Sequence, residues 1–417
     1  MRVLWFEVSE PVAYVSEKTP IGGWQDSLER IVKTAAEIEL IVSFMSEKHS
    51  DVKVIDGVTY IPILSNWSSV ERKFRSYWDV FVEKMLPIAK RIIEDYKPDL
   101  IQVFGTEWPF GQIAAYTDIP VVIHIMGAII PYNNANFPPG YSCHELYWHH
   151  WWQPKKIYDI WKEEHNRNNR EKWELRTWKL VKYYMGRTLW DEALSRVMHP
   201  GRSYYHVEEA LRYQFISRTK RWKGVTGDKL QLLSTGCSSF WKGPDMMLKV
   251  ARILCELDVN FEWKVAGRMD EDLKKMVEHH EGIRFEDCNI NILGFRQPEE
   301  LVEILCSSTI YVHTAYIENS PNSICEAQCL GVPVVSTNVG GISTLINDGR
   351  DGILVPSNDP WSMADAIIQL MNDKERMQRM SECSFAFAQE RHSDRNIKNQ
   401  LINVYHTIIN EHSMRGV

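Results

Sequence analysis

The stretch IENSPNSICEAQCLGVPVVS, residues 317–336, indicates the fold of the second half of the chain. It follows a short apolar segment, 309–313, and ends in another, 332–336. Between them, Asn322 is a good N-cap for a helix that runs to about Leu330. A strand, a helix and a second strand in this order predict two parallel strands joined by a helix.

The same alternation occurs twice along the chain, which predicts an α/β protein with two Rossmann-like domains facing each other across a cleft. The first domain is expected over 1–217 and the second over 218–390. A C-terminal helix, 391–417, is expected to pack back toward the first domain. The segment from about 141 to 190 is predicted to be a helical insertion, because it is rich in Trp, Lys, Arg and Glu.

Bulk composition excludes several classes of protein. The formal net charge of −7 over 417 residues gives no overall attraction for nucleic acid. Eight cysteines without paired spacing predict free thiols in a reducing compartment. No segment offers the run of about 18 apolar residues that a membrane span needs, and residues 1–8 have the pattern of a strand rather than a signal peptide. We therefore expect a cytoplasmic protein, whose oligomeric state the sequence leaves open.

Two carboxylates flank the predicted helix start. The free backbone N–H groups and partial positive charge of a helix N-terminus suit a phosphate, which is the role we assign to Asn322 and Ser323. Glu326 lies one turn further on, and Glu318 lies in the loop just before. A carboxylate only accepts hydrogen bonds, so each suits sugar hydroxyls. The alternative, two surface charges, does not explain why both lie at the end of a predicted strand.

These residues resemble the retaining glycosyltransferases of family 4, which have the GT-B fold. Glu318 and Glu326 stand in the family's E-x7-E arrangement, and residues 327–336 resemble its EA-x-x-x-G-x-PVV run. The run NVGGI at 338–342 and the stretches DG at 348–349 and DGILV at 351–355 resemble two further motifs. The resemblance covers about 234–360 and is highly specific as a set.

The resemblance implies a metal-independent enzyme that moves a sugar from a nucleoside diphosphate to a glycan or lipid-linked glycan, with retention of configuration and no cofactor. Surface polysaccharide assembly is the context expected by analogy with the family. In that reading Glu318, Lys242 and His124 are catalytic. The donor would contact the following residues: Gly22, Gly23, Gly236, Arg268, Gly294, Phe295, Asn319, Ser320, Asn322, Ser323 and Glu326.

The phosphate-binding stretch departs from the family pattern. Lys242 stands where the family has a Lys, but Cys237 stands where it has an Arg. Arg268 and the hydroxyls of Ser238 and Ser239 are possible substitutes. Gly22-Gly23 lets the backbone approach a ligand closely. His124 contacts donor or acceptor in one interpretation, and in the other it is a packed histidine at a strand end.

Metal-binding signals are weak. The segment from His144 to His149 places its histidines five residues apart, whereas the zinc motif needs four. Asp270, Glu271 and Asp272 are expected to cap a helix rather than to bind a metal. We therefore predict no metal site.

The 16 tryptophans need a separate account, because seven lie between 141 and 190. Residues 153–187 carry ten Lys and Arg against five Asp and Glu. The tryptophans either fill a core, bind the acceptor, or make a peripheral contact with a membrane.

Two other functions remain open from sequence. The chain could bind a nucleotide sugar without turning it over, since Cys237 removes an expected cation. It could also be a GT-B nucleotide-sugar epimerase, which would release a modified donor without any acceptor.

Overall fold

The computed structural model describes residues 1–15, 23–65, 67–68, 71, 75–217, 219–224 and 227–415. The chain divides into two compact units. Unit 1 comprises 1–130, 161–210 and 394–417, and unit 2 comprises 131–160 and 211–393. Each unit is an α/β structure built on one mainly parallel sheet, which confirms the fold class expected from the alternation of strands and helices.

The sheet of unit 1 has eight strands in the order β3-β4-β2-β1-β5-β6-β7-β8. Among the described strands of this sheet, only the β3–β4 hairpin is antiparallel, and it turns at Asp56 and Gly57, which both have positive φ as an Asp-Gly hairpin requires. The strands are β1 Arg2–Glu7, β2 Glu39–Ser46, β3 Lys53–Ile55, β4 Val58–Leu64, β5 Leu100–Phe104, β6 Val121–His124, β7 Tyr183–Gly186 and β8 Ser203–His206.

Helices cover both faces of this sheet, as the buried strand sequences require. The described helices that lie wholly in unit 1 are Trp24–Val32, Tyr77–Tyr96, the 3₁₀ helix Pro109–Ala115, Leu189–Met198 and Asp394–Arg415. The helices Ile129–Asn134 and Pro154–Leu180 begin in one unit and end in the other. Asp394–Arg415 packs in unit 1, where the Tyr405 hydroxyl accepts a hydrogen bond from Trp5 Nε1 at 3.0 Å.

The sheet of unit 2 has six strands, all parallel, in the order β11-β10-β9-β12-β13-β14. They are β9 Leu230–Thr235, β10 Phe261–Ala266, β11 Ile290–Gly294, β12 Ile310–His313, β13 Val334–Thr337 and β14 Ile353–Val355. The helices of unit 2 are Cys143–His149, Tyr213–Ile216, Phe240–Lys242 (3₁₀), Pro244–Glu256, Glu271–Glu281, Glu286–Cys288 (3₁₀), Pro298–Ser307, Asn322–Leu330, Ile342–Leu345, Pro360–Asn372 and Lys374–Arg391.

The domain boundary drawn from the sequence needs correction, because residues 131–160 group with unit 2 rather than with the first domain. Phe137 and Tyr141 pack in the core of unit 2, and the Tyr141 hydroxyl donates to Glu281 Oε1 at 2.9 Å. The helical insertion was also drawn too long. Residues 183–186 form β7, which pairs with β6 in the sheet of unit 1 and has four buried residues. They are therefore part of the sheet and not of a helical insertion.

Six of the seven tryptophans of that segment divide into two groups. Trp178 is fully buried in unit 1, and Trp173 Nε1 donates to Asp79 Oδ1 at 2.7 Å, so part of the segment is core. Four others are exposed: Trp148, Trp151, Trp152 and Trp161. Among the described residues, no helix is both long enough and apolar enough to cross a bilayer.

Candidate functional site

The candidate site of unit 2 lies at the carboxyl ends of β9, β12 and β13, three neighbouring strands in the middle of the sheet. Open parallel sheets bind their ligands at this edge. The loop after β9 ends at Lys242, and the loop after β12 carries Glu318. Two hydrogen bonds hold these loops together. Tyr316 N–H donates to Trp241 O at 2.8 Å, and Thr314 Oγ1 donates to Lys242 O at 3.0 Å.

Lys242 and Glu318 form an ion pair between Nζ and Oε1. Glu318 is only 5% exposed, and His313 Nε2 lies 3.6 Å from the same oxygen. Burial by itself would raise the pKa of Glu318, but Lys242 and His313 together hold it below its ordinary value. The carboxylate is therefore ionised at neutral pH, and Lys242 Nζ also lies 4.4 Å from the Trp241 ring.

The loop after β13 fixes the backbone of Glu318. Gly341 N–H donates to Glu318 O at 3.0 Å. Gly340 has a φ of +53°, and a Cβ at this position would lie 1.8 Å from Glu318 O. The two glycines of the motif at 338–342 thus allow this loop to pack against the backbone of Glu318. The resemblance to a family did not indicate this contact.

Glu326 lies one turn into the helix Asn322–Leu330 and is 3% exposed. Arg212 Nε and Nη2 both donate to Glu326 Oε1, at 2.8 and 2.6 Å. Any ligand bound at this carboxylate would therefore share it with a guanidinium. Arg212 was not among the residues expected from sequence, and no local pattern marks it, since it lies 114 residues earlier in the chain.

The helix start differs from the prediction in one residue. The helix begins at Asn322, and the cap position is Pro321, whose extended backbone turns the chain into the helix. Asn322 is therefore not the N-cap. Its Oδ1 atom is buried and has no hydrogen-bond partner among the described residues. The hydroxyl of Ser323 interacts with that of Tyr311.

Asn319 and Ser320, also expected at the donor, are buried in the loop before this helix. The backbone N–H of Asn319 donates to the Tyr132 hydroxyl at 3.2 Å, so this amide already has a partner. Tyr132 in turn packs edge-on against the Trp241 ring at 5.0 Å. Tyr132 is a contact that sequence reasoning missed.

The loop after β9 contains Cys237 where a cation was expected. Cys237 is 2% exposed, and burial raises the pKa of its thiol to about 12, so it is a neutral core residue. Gly236 has a φ of +71°, and its N–H donates to Ala266 O at 3.1 Å. Cys237 therefore packs in the core at the base of this loop and supplies no positive charge.

Arg268 follows β10 at the same edge of the sheet and is exposed. Within the described part of the chain, its guanidinium forms no ion pair or hydrogen bond. At the end of β11, Gly294 O accepts from Gly267 N–H at 2.9 Å, and Phe295 is 46% exposed. Arg268 is thus a cation available to a ligand, and Phe295 is an available apolar surface.

The remaining expected residues belong to unit 1. Gly22 lies outside the described residues, and Gly23 precedes the helix Trp24–Val32 at its cap position. His124 ends β6 and is fully buried. Its ring packs edge-on against Trp24 at 4.8 Å. Burial, with the charge of Arg187, lowers the pKa of His124 well below its ordinary value, so the ring is neutral at pH 7.

One group of side chains in the described residues has the composition of a metal site: His149, His150 and Asp272. Cys143 and His144 are not part of it. Lys156 Nζ already donates to Asp272 Oδ2 at 2.9 Å. Asp270 caps the helix Glu271–Glu281 by accepting from the N–H groups of Asp272 and Leu273. Asp272 lies on the helix Glu271–Glu281, whereas His149 ends the helix Cys143–His149 and His150 follows it. Neither helix carries Lys242 or Glu318.

Lys242, Glu318 and Glu326 lie in a segment of the chain that matches a known protein family. Residues 216–385 match the family described as "Glycosyl transferases group 1". The chain is similar to a D-inositol 3-phosphate glycosyltransferase of Paenarthrobacter aurescens, with 30% identity over 181 residues. That match covers 42% of this chain and 43% of the relative, so the chain spans less than half the length of the curated relatives it matches.

Solved structures resemble the whole chain. Sucrose-phosphate synthase from Thermosynechococcus elongatus has a TM-score of 0.73 at 14% identity, over 99% of this chain and 100% of the other. The Anabaena protein HepE, in complex with UDP-glucose, has a TM-score of 0.67 at 13% identity, over 98% and 100%. At these identities the likeness shows the fold, which is that of the GT-B glycosyltransferases.

Proposed function

Because residues 216–385 match the family of group 1 glycosyl transferases, we propose that this chain transfers a sugar from a nucleoside diphosphate to a hydroxyl of a glycan or lipid-linked glycan. The observation that carries the proposal is the Lys242–Glu318 pair at the carboxyl edge of the sheet. It lies next to the N-terminus of the helix Asn322–Leu330, so a cation, an anion and a helix start occupy one small region.

Breaking the bond between sugar and phosphate places negative charge on the leaving diphosphate, and the site must stabilise that charge. Lys242 is the main candidate, because its ammonium is already held at the strand edge by Glu318. The first turn of the helix adds free N–H groups from Asn322 and Ser323. Arg268 is our proposed substitute for the cation that Cys237 does not provide.

Glu318 is ionised, so it would accept hydrogen bonds from hydroxyls of the donor sugar and stabilise positive charge that develops on the ring. Glu326 would accept hydrogen bonds from the ribose hydroxyls while it also accepts those from Arg212. We propose retention of configuration by attack on the front face, with a donor phosphate oxygen taking the proton of the acceptor hydroxyl. No protein side chain then has to act as a general base.

We also propose that transfer needs no metal ion. The protein's own positive groups, Lys242, Arg268 and the helix start, would take the place of a divalent cation at the diphosphate. UDP-sugars are the first donors to test, since HepE is described in complex with UDP-glucose.

The decisive experiment is a thermal-shift titration of the full chain with UDP, GDP and ADP and their common sugar conjugates, each with and without EDTA. A ligand at 100 times its Kd stabilises the native state by about 2.7 kcal/mol. We expect one nucleotide to raise the Tm of wild type in EDTA and to fail with Glu326→Gln. Glu375→Gln is the matched control, because that carboxylate is highly exposed in the same unit. A shift that requires a metal, or none at all, would refute the donor site.

A protein that binds a nucleotide sugar without turnover is the second candidate, and the buried thiol of Cys237 favours it because one expected cation is missing. An epimerase of the same fold is a third. Incubation with the identified donor separates the three. A transferase releases nucleoside diphosphate only with an acceptor, an epimerase returns an altered donor without one, and a binder leaves the donor unchanged.

Surface polysaccharide assembly is the context we propose, on the basis of the family alone. Peripheral contact with a membrane is proposed from Trp148, Trp151 and Trp152, which are 57–77% exposed. Tryptophan side chains of this kind favour the headgroup layer of a bilayer. Co-sedimentation with anionic vesicles, compared between wild type and a Trp151→Ser/Trp152→Ser variant, tests this contact.

A further inference from the structure

Two histidines and one aspartate of unit 2 have the chemistry and the spacing of a metal site. One nitrogen or oxygen atom from each of His149, His150 and Asp272 lies within 4.8 Å of the other two. Imidazole nitrogens and carboxylate oxygens are ligands that zinc accepts in proteins. All three residues belong to the same compact unit. We call them the His-His-Asp group.

Two helices that are distant in the sequence bring the group together. His149 ends the helix Cys143–His149, and His150 follows it. Asp272 lies in the first turn of the helix Glu271–Glu281. Asp270, not Asp272, caps this second helix. The carboxylate of Asp272 is therefore not needed to satisfy the backbone of the helix start.

Other contacts hold the same two helices together. His280 Nδ1 lies 2.7 Å from Glu145 Oε1, and the Tyr141 ring stacks on the His280 ring with centroids 3.9 Å apart. The His-His-Asp group is thus positioned by packing and does not depend on an ion to assemble it. A preorganised site binds more tightly, because less conformational freedom is lost on binding.

The distance between His150 and Asp272 is close to that between two ligands of one ion. His150 Nε2 lies 3.8 Å from Asp272 Oδ2, which is too long for a hydrogen bond. In a tetrahedral zinc site with bonds of about 2.0–2.1 Å, two ligand atoms lie roughly 3.3–3.5 Å apart. A movement of about 0.5 Å would therefore place both atoms on one ion.

The His150 ring is buried without a hydrogen bond. The residue is 4% exposed, and its Nδ1 atom has no hydrogen-bond partner among the described residues. Buried polar groups in native proteins almost always have a partner, so an exception needs an explanation. Metal binding supplies one, because the packing that leaves Nδ1 without a partner also fixes the ring with Nε2 beside Asp272.

An ion can reach this group from solvent. His149 lines a cavity of about 660 Å³ at the surface of unit 2, which provides the entry path that a metal site requires. Lys156 Nζ donates to Asp272 Oδ2 at 2.9 Å, but the lysine side chain is 51% exposed. Exposed ion pairs contribute little free energy, so a divalent cation would displace the ammonium group.

We propose that His149, His150 and Asp272 bind one divalent transition-metal ion, for which zinc is the best fit. Three protein ligands leave one position of a tetrahedral site to water. The ion would fasten the segment 141–152, with its exposed tryptophans, to the helix Glu271–Glu281. This inference does not rest on the proposed transferase function. It also revises the expectation from sequence, which considered the spacing from His144 to His149 and left out His150.

Isothermal titration calorimetry of the full chain with Zn²⁺, after treatment with EDTA and exchange into metal-free buffer, tests the proposal. Absorption spectra with Co²⁺ identify the ligands, because thiolates add an intense charge-transfer band that nitrogen and oxygen ligands lack. We expect one ion per chain to bind without that band. His149→Ala and Asp272→Asn should each weaken binding at least as much as the roughly 10–100-fold that loss of an outer-shell partner costs. Absence of such an ion, or unchanged binding in both variants, overturns the proposal.

His144→Ala is the matched control, because His144 is an exposed histidine on the same helix and lies outside the group. This variant should bind Zn²⁺ like wild type. Lys156→Met should bind it about two- to fivefold more tightly, since a competing ammonium group of modest strength is removed. Unchanged or weaker binding by Lys156→Met would show that the ion does not use Asp272. Thermal melts in EDTA, where no ion is bound, report whether each variant is folded.

Discussion

Gly340 lies against the carbonyl oxygen of Glu318, so closely that a Cβ at Gly340 would be 1.8 Å from it. The loops after β12 and β13 therefore fit together only with glycine at this position. Since Gly341 N–H also donates to that oxygen at 3.0 Å, the place of the Glu318 carboxylate depends on a residue that carries no functional group.

Gly340→Ala should lower both the Tm and the affinity for nucleotide, because the added methyl group displaces the backbone of Glu318. The matched control is Gly349→Ala. Gly349 also has a positive φ, +76°, but nothing lies within 4 Å of a Cβ there, so this variant carries only the backbone cost of about 1 kcal/mol. Thermal melts and UDP titrations of both variants decide the matter. Equal effects would show that the contact with Glu318 is unimportant.

Lys242→Ala should reduce kcat about 10²–10³-fold, equivalent to ~3–4 kcal/mol, because one donor to the leaving diphosphate is lost. The reduction is measured in steady-state assays once donor and acceptor are known. Lys374→Ala, which changes an exposed lysine in the same unit, should leave kcat unchanged. A drop below threefold for Lys242→Ala would mean that another group stabilises the diphosphate.

Arg212→Met should destabilise unit 2 by about 3–5 kcal/mol, because the buried Glu326 carboxylate loses its guanidinium partner. Adding Glu326→Gln should restore part of the loss, since the uncompensated charge is then removed. Urea denaturation of wild type, both single variants and the double variant gives the coupling energy, expected at about 1–3 kcal/mol. Additive effects would show that the two side chains do not interact in solution.

Glu107→Gln should make stability less dependent on pH between about 4.5 and 7. Burial, with the nearby charge of Glu174, raises the pKa of Glu107 to about 7. In this range the native state holds a proton that the unfolded state has released, so wild type loses stability as the pH rises. The rise of this pKa from 4.5 to about 7 corresponds to at most about 3.4 kcal/mol.

The measurement is the difference in unfolding free energy between Glu107→Gln and wild type at pH 5 and pH 8. This difference removes the contribution to the unfolding free energy of every group whose pKa is the same in both proteins. The variant should gain stability relative to wild type at the higher pH. A difference that stays constant would indicate that Glu107 titrates at its ordinary value.

Local patterns sufficed to predict the two parallel sheets and the position of Glu318. Buried parallel strands are continuous apolar segments, and these are visible at 309–313 and 332–336. By contrast, β7 could not be recognised as a strand from the local sequence, because Tyr183, Tyr184 and Met185 follow a helix rich in charge and tryptophan. Their burial depends on strands that lie distant in the sequence.

The partners of the site residues were not predictable for a similar reason. Arg212 and Glu326 are 114 residues apart, and nothing local links them. The contact of Gly340 with Glu318 depends on how two loops pack. The N-cap was wrong by one residue, because the extended backbone of Pro321 ends the loop and leaves Asn322 as the first residue of the helix.

The helix Asp394–Arg415 has a consequence for synthesis of the chain. Tyr405 accepts from Trp5 and donates to Gln102 Oε1 at 2.5 Å, so the unit that contains the first strand lacks part of its core until residue 405 has been translated. Unit 2, which ends at 393, is complete earlier. The core of unit 1 is therefore completed last, and the apolar face of β1 stays uncovered until a helix about 400 residues downstream has been synthesised.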